Sequence, residues 1–296
     1  MDILLGVMFA VLGSIFYGVS VVPRKLSKQK VSTFVMFDGL GFFIASVVFF
    51  GIIKLCGNTE NLFDIHLILW GALCGTIWMA GSTFFFMALD RIGLSKSSQW
   101  KNLQGPIGAF LIFFILSEAS SVNIWFLLAS ITAIFISALL FSIKGKNEKK
   151  FNIWGIVFAT TAAILYGCVA LIQKYLSMEG FVFAQQIWFS LFVFLSAFIF
   201  MLIKEKNVKC FKEPFKKDNA MGLLGGGLYF LGSLFVALAY SYMSGSVAFT
   251  IVQLNAFWII LIGIIFFKEI DFKQHWKRIV LGFLFVALGI GMLSFA

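Results

Sequence analysis

The polar side chains of this 296-residue chain are few, and they recur at helical spacing within apolar surroundings. Residues 93–106 read Gly-Leu-Ser-Lys-Ser-Ser-Gln-Trp-Lys-Asn-Leu-Gln-Gly-Pro. At 100° per residue, Ser95, Ser98, Gln99, Asn102 and Pro106 share one face of a helix. A second segment, 151 positions on, carries Ser246, Thr250 and Gln253 on the matching face. Uncharged hydrogen-bonding groups on two such helices suit a cavity for a polar solute, and they equally suit bonding between helices. Gln104 and Asn255 also correspond but lie on the opposite face, where bonding between helices is the favoured reading. Trp78/Ser82 and Tyr229/Ser233 are i, i+4 pairs, each on one helix face. An aromatic ring beside a hydroxyl suits the apolar side of a sugar or another flat polar solute. A chain with 39 Phe and 8 Trp also supplies such rings for packing alone. Tyr17 and Tyr166 form a further matched pair.

Two charges lie deep in apolar segments. Lys101 is about eight residues, roughly 12 Å, into its helix at 1.5 Å per residue. Asp38 lies at similar depth from the same side. Ionisable groups at such depth are costly. The two are expected either to pair or to compete for a substrate or proton between them; a self-neutralising structural pair is the alternative. Lys101 aligns with Val252 and Asp38 with Trp188, so neither charge is duplicated.

The elements that must position these groups are membrane helices. Hydrophobic residues make up 61% of the chain and charged residues 12%, about half the share in a soluble domain. The apolar runs predict ten spans, at 2–22, 31–54, 65–89, 93–116, 122–143, 152–175, 181–204, 219–242, 245–267 and 275–295. The net charge of +10 does not indicate nucleic acid, because Lys and Arg gather at span ends. The basic stretch 204–217 reads as a loop beside anionic lipid. Cys56, Cys74, Cys168 and Cys210 show no ligand spacing, so no metal, disulfide or cofactor is expected. The run Gly222–Gly227 has neither the preceding strand nor the Lys of a nucleotide loop. Asp90-Arg91 reads as a surface pair in a tight turn. Pro106 predicts a kink in the fourth span that the ninth, with Phe257 at that position, would lack.

Residues 67–118 and 219–269 match without a gap: Gly71 with Gly222, Gly75 with Gly226, Gly81-Ser82 with Gly232-Ser233, Glu118 with Glu269. The Gly71/Gly75 and Gly222/Gly226 pairs predict close helix packing. The chain therefore divides into 1–147 and 148–296, each with five spans. An odd number of spans inverts the second copy. Basic residues in loops 1–2, 3–4, 5–6, 7–8 and 9–10 number 4, 1, 4, 6 and 4, against Lys54 and Lys174 on the other side. The positive-inside rule then places both termini outside. Inverted repeats of this kind are the mark of secondary transporters.

Ten helices in two inverted five-helix repeats resemble the drug/metabolite transporter superfamily. Leu116-Ser117-Glu118 and Phe267-Lys268-Glu269 resemble the acid that closes helices 4 and 9 in EamA-type members. Ala88–Ser95 resembles the helix 3–4 turn of that group and of the glucose/ribose and rhamnose porters. The resemblance implies a cavity lined by helices 1, 3, 4, 6, 8 and 9, with helices 5 and 10 peripheral. The expectation is an all-α multi-pass protein of the cytoplasmic membrane, monomer or homodimer, without enzymatic activity. It would move a small polar metabolite, foremost a sugar, by alternating access coupled to a proton or cation. The expected substrate-binding residues are Tyr17, Trp78, Ser82, Ser98, Gln99, Asn102, Tyr166, Tyr229, Ser233, Thr250 and Gln253, with Asp38 and Lys101 as the coupling charges. An amino-acid, metabolite or drug exporter of the same fold is the nearest alternative; a membrane sensor or scaffold is the alternative of another class.

Overall fold

The computed structural model describes residues 2–116, 123–141, 152–212, 215–242, 245–269 and 272–293. These residues form helices and no strands. Six helical stretches are long and apolar enough to cross a membrane: Leu4–Leu26, Val31–Leu55, Ile65–Ile92, Ile153–Met178, Ala184–Glu205 and Lys217–Tyr242. The protein is therefore a multi-pass membrane protein. The first stretch comprises α1 (Asp2–Ser20) and the short α2 (Val22–Leu26). The next two are α3 (Val31–Leu55) and α4 (Ile65–Ile92). The expected fourth span is two helices, α5 (Leu94–Lys101) and α6 (Gln104–Ile115), followed by α7 (Ile124–Phe141). Then come α8 (Ile153–Met178), α9 (Ala184–Glu205) and α10 (Lys217–Tyr242). The expected ninth span is likewise two helices, α11 (Gly245–Val252) and α12 (Asn255–Ile265), and α13 (Phe272–Leu293) closes the chain.

The expectation of a kink in the fourth span alone is corrected. Both segments break at the same place, Asn102-Leu103 and Gln253-Leu254. Leu103 (φ −58°, ψ −15°) and Leu254 (φ −56°, ψ −14°) have nearly the same backbone. Each break is a tightened turn: Leu103 N–H donates to Trp100 O (3.3 Å) and Leu254 N–H to Ile251 O (3.0 Å). Proline does not cause it. Pro106 stands in the first turn of α6, where a missing N–H costs least. In the other segment, Gln253 Nε2 donates to Phe249 O (3.2 Å) and Asn255 Nδ2 to Val252 O (2.8 Å). Amide side chains thus satisfy carbonyls beside the break, which hydrocarbon could not.

Packing joins distant parts of the chain: α1 and α3 lie on α10, α4 on α8 and α9, α6 on α8, α1 on α12, and α7 on α13. The closest approaches are made by glycine. A Cβ on Gly222 would overlap the Phe37 side chain, and one on Gly226 the backbone of Asp38 and Phe42. Likewise, a Cβ on Gly71 would overlap Trp188, and one on Gly75 the backbone of Phe189 and Val193. The two sets are the same contact made twice, 151 positions apart. They also correct the alignment of α3 with α9: Trp188 is the counterpart of Phe37, and Phe189 that of Asp38.

Backbone contact at glycine leaves a branched side chain no room, and overpacking a tight core costs about 1–3 kcal/mol or more. Gly226→Val is expected to lower the melting temperature of the detergent-purified protein and its folded yield. Gly227→Val, at a glycine with open space beside it, is expected to leave both near wild type.

Candidate functional site

Four aromatic side chains from four helices meet near mid-membrane. Trp78 (α4) donates its indole N–H to the Tyr229 (α10) hydroxyl at 2.6 Å, so two residues 151 positions apart bond each other directly. Tyr17 (α1) stacks on Tyr229 with centroids 4.7 Å apart. Tyr166 (α8) shares a 2.8 Å hydrogen bond with Ser82, and the Tyr17 hydroxyl reaches Ser233, the counterpart of Ser82. Each tyrosine ring lies on a glycine, Tyr166 on Gly81 and Tyr17 on Gly232. These rings and Ser82 wall a cavity of about 60 Å³, completed by Ser20, Val21, Asp38, Phe85, Phe86, Lys101, Gln104 and Asn255. At roughly 10–15 Å³ per water, the cavity holds about four to six waters.

Asp38 and Lys101 line this same cavity but form no ion pair with each other. The Lys101 ammonium instead lies over the rings of Phe85 (5.0 Å) and Tyr166 (5.3 Å), within cation–π range. The Asp38 carboxylate lies against Gly225, whose missing side chain gives it room. A carboxylate and an ammonium thus face one small cavity without neutralising each other.

Of the expected binding residues, Tyr17, Trp78, Ser82, Tyr166 and Tyr229 are together in the cavity. Ser98, Gln99 and Asn102 are not. All three are fully buried, and Gln99 Nε2 donates to Ser137 on α7 (2.7 Å), which in turn donates to Gly282 O on α13 (2.9 Å). Gln99 thus faces the α7–α13 pair, while Ser95 of the same stripe lies against Gly263 of α12. The other face of the same segment, with Lys101 and Gln104, turns to the cavity. A helical wheel displays two polar faces and does not say which points inward. Gln253 is buried, with its Oε1 accepting from Gln104 Nε2 at 3.3 Å. Ser233 donates to Gln186 Oε1 (2.7 Å). The Thr250 and Glu118 side chains lie outside the described residues. Gln104 and Asn255, expected to bond between helices, line the cavity, and Gln104 also makes its interhelical bond to Gln253; Ser20, Val21, Phe85 and Phe86 were not anticipated. The exact correspondence of Gln104 with Asn255 was the available signal for the first two.

Phe85 and Phe86 floor the cavity toward the end of the bundle where the basic residues gather. Beyond them Arg24, 4% exposed, pairs with Asp90, donates to Gln29 O (2.7 Å) and lies over Phe34. This corrects the expected Asp90–Arg91 pair; Arg91 donates to Met87 O instead. Glu269 caps α5, accepting from Leu94 N–H and Ser95 N–H (2.8 Å each), and pairs with Lys25 at 2.8 Å. Gly93 precedes that cap at φ +82°, a conformation open to glycine, with the carboxylate where a Cβ would stand.

The family model for sugar transport protein matches residues 8–296, almost the whole chain. The chain belongs to the sugar transport protein family. Membership in that family and the membrane-crossing helices make it a membrane transporter of a sugar transport family. No curated protein matches it in sequence. Among solved structures, one described only as "Crystal structure of protein" matches at a TM-score of 0.62 and 10% identity, covering 97% of this chain and 95% of that one. That likeness concerns the fold alone.

Glu269→Ala removes two capping bonds and an ion pair in this sugar transport family member. Loss of a cap costs about 0.5–2 kcal/mol. A clear drop in melting temperature is expected in detergent, with a smaller drop for Lys25→Met, whose half-exposed ammonium is the weaker partner.

Proposed function

We propose that the protein takes up a small neutral sugar across the cytoplasmic membrane by alternating access, as two inverted five-helix repeats (1–147 and 148–296) with both termini outside. The observation that carries the reading is the aromatic cage, in which Trp78 and Tyr229, equivalent residues of the two copies, bond across the cavity. On this reading the pseudo-two-fold axis passes between them. The aromatic faces stack on the apolar face of the sugar ring. Ser82, Gln104 and Asn255 exchange hydrogen bonds with its hydroxyls; amides and hydroxyls both donate and accept, as sugars require. Twice-made glycine contacts and twice-made helix breaks support the repeat. Basic residues at the Arg24–Glu269 end support its placement in the cytoplasm.

Asp38 is the coupling group in this proposal. Its carboxyl lines the cavity without an ion pair among the described residues, and Lys101 lines the same cavity. A proton taken up with the sugar and released inside is the simplest use of it. An ammonium free of any ion pair supports a second reading, export of a carboxylate-bearing metabolite such as an amino acid.

Counterflow in proteoliposomes against sugars, amino acids and organic cations separates the two. Exchange of sugars, with Gln104→Leu and Asn255→Leu each raising the half-saturating concentration about two- to tenfold, is the expected result. Asn102→Ala is expected to exchange normally. Exchange of amino acids alone would replace the sugar reading by the exporter. Asp38→Asn is expected to retain counterflow but lose accumulation driven by an imposed pH gradient; unchanged accumulation would remove the coupling role.

A further inference from the structure

Two smaller cavities continue from the central one, away from the Arg24–Glu269 end. The nearer, about 50 Å³, shares Tyr17, Gln104, Tyr166 and Tyr229 with it. The farther, about 10 Å³, shares Gln173, Val236 and Tyr240 with the nearer and lies where α8 ends and α9 begins. Gln173, Ser177, Gln185, Gln186, Ser233 and Tyr240 line this last chamber. Gln185 is 2% exposed; its amide N–H donates to Ser177 Oγ (3.0 Å), and its Oε1 has no partner. Other buried polar atoms also lack a partner, but unlike those of Gln99 and Asn102 this one belongs to a side chain that lines a cavity, where a hydroxyl could reach it.

The opposite end of the molecule is built differently at the same positions. At the spacing set by the glycine contacts, Gln185 corresponds to Phe34, Val236 to Phe85, Ala237 to Phe86 and Tyr240 to Leu89. Phe34 is fully buried and meets Phe86 edge-on at 5.2 Å, which seals the basic end with a hydrocarbon plug. Where that end has three phenylalanines and a leucine, this one has a glutamine, two small residues and a tyrosine. Corresponding positions thus carry packed aromatic rings at one end and amides, a tyrosine and smaller side chains at the other.

We infer that the Gln185 chamber is a second sugar subsite, on the access route, where hydroxyls of a neutral sugar bind before its ring reaches the aromatic cage. The inference rests on the sugar-transport reading above. Among the described residues no Lys, Arg, Asp or Glu lines the chamber, so its chemistry suits an uncharged, hydroxyl-rich solute. Its volume holds one water or one hydroxyl, so passage of the ring requires α8 and α10 to part.

The test measures initial rates of radiolabelled D-glucose and D-ribose transport in right-side-out and inside-out membrane vesicles; where neither sugar drives counterflow, the panel sugar that does is used. Gln185→Ala and Gln173→Ala are expected to raise KM about three- to tenfold for transport starting from the α8–α9 face. KM and maximal rate from the other face should be unchanged, and the maximal rate from the α8–α9 face should rise with its KM, because a substitution cannot alter the ratio of maximal rate to KM of one face relative to the other. The paired Val236→Phe and Ala237→Phe substitutions, which copy the plug of the opposite end, should slow transport from the α8–α9 face at least tenfold. Gln173 is only partly buried, so its variant keeps the test open should Gln185→Ala fold poorly. Wild-type KM in both glutamine variants, or an equal rise from both faces, would overturn the subsite and leave the sugar reading standing. A wild-type protein that moves no sugar at all would overturn both.

Discussion

The structure depends on helix backbones touching at glycine. Between helices in lipid, apolar side chains gain little by leaving hydrocarbon for one another, so association rests on close packing and on hydrogen bonds. Gly222 and Gly226 bring α10 onto α3, and Gly71 and Gly75 bring α4 onto α9. That approach places Asp38 beside Gly225 and holds Trp78 and Tyr229 within hydrogen-bonding distance. Gly81 and Gly232 then accept the rings of Tyr166 and Tyr17. The aromatic cage is thus assembled by the residues that have no side chain.

A duplicated frame would give the molecule two similar ends, and side-chain volume makes them different. The basic end carries the phenylalanine plug, the Arg24–Asp90 pair and the Glu269 cap on α5. The other end substitutes amides and small residues at the corresponding positions. Transport in the proposed cycle requires the first end to open. That means separating charged and capping groups from partners they hold across helices, at a cost that a bound sugar and a proton together would offset. Asp38 and Lys101 line the same cavity as the cage and as Phe85 and Phe86, without an ion pair among the described residues.

The polar network away from the cavity has its own logic. Gln99, Ser137 and the Gly282 carbonyl tie α5 to α7 and α13. Gln99 finds its partner in a helix contact rather than in the cavity, while both polar atoms of the buried Asn102 side chain have none. Gln99 thus shows how a residue of a polar stripe at ideal helical spacing can be structural.

Several features were legible in the residues alone. Apolar run length requires a membrane protein, since only helices satisfy their own backbone bonds in lipid. The 151-residue correspondence marked the glycine contacts and the Trp78/Tyr229 and Ser82/Ser233 pairs before any coordinates, because a duplicated packing contact must keep its small residues. Asp38 and Lys101 stood out because buried charge is expensive. Tertiary structure alone decided which face of the fourth segment turns inward. The wheel gave Ser98, Gln99 and Asn102 the same polar character as Lys101 and Gln104, and only the positions of α7 and α8 distinguish them. It also decided that Asp90 meets Arg24 rather than its neighbour, and that α11 and α12 break apart without a proline. Each of these depends on what a side chain meets across a helix interface, and spacing along one helix carries no record of its neighbours.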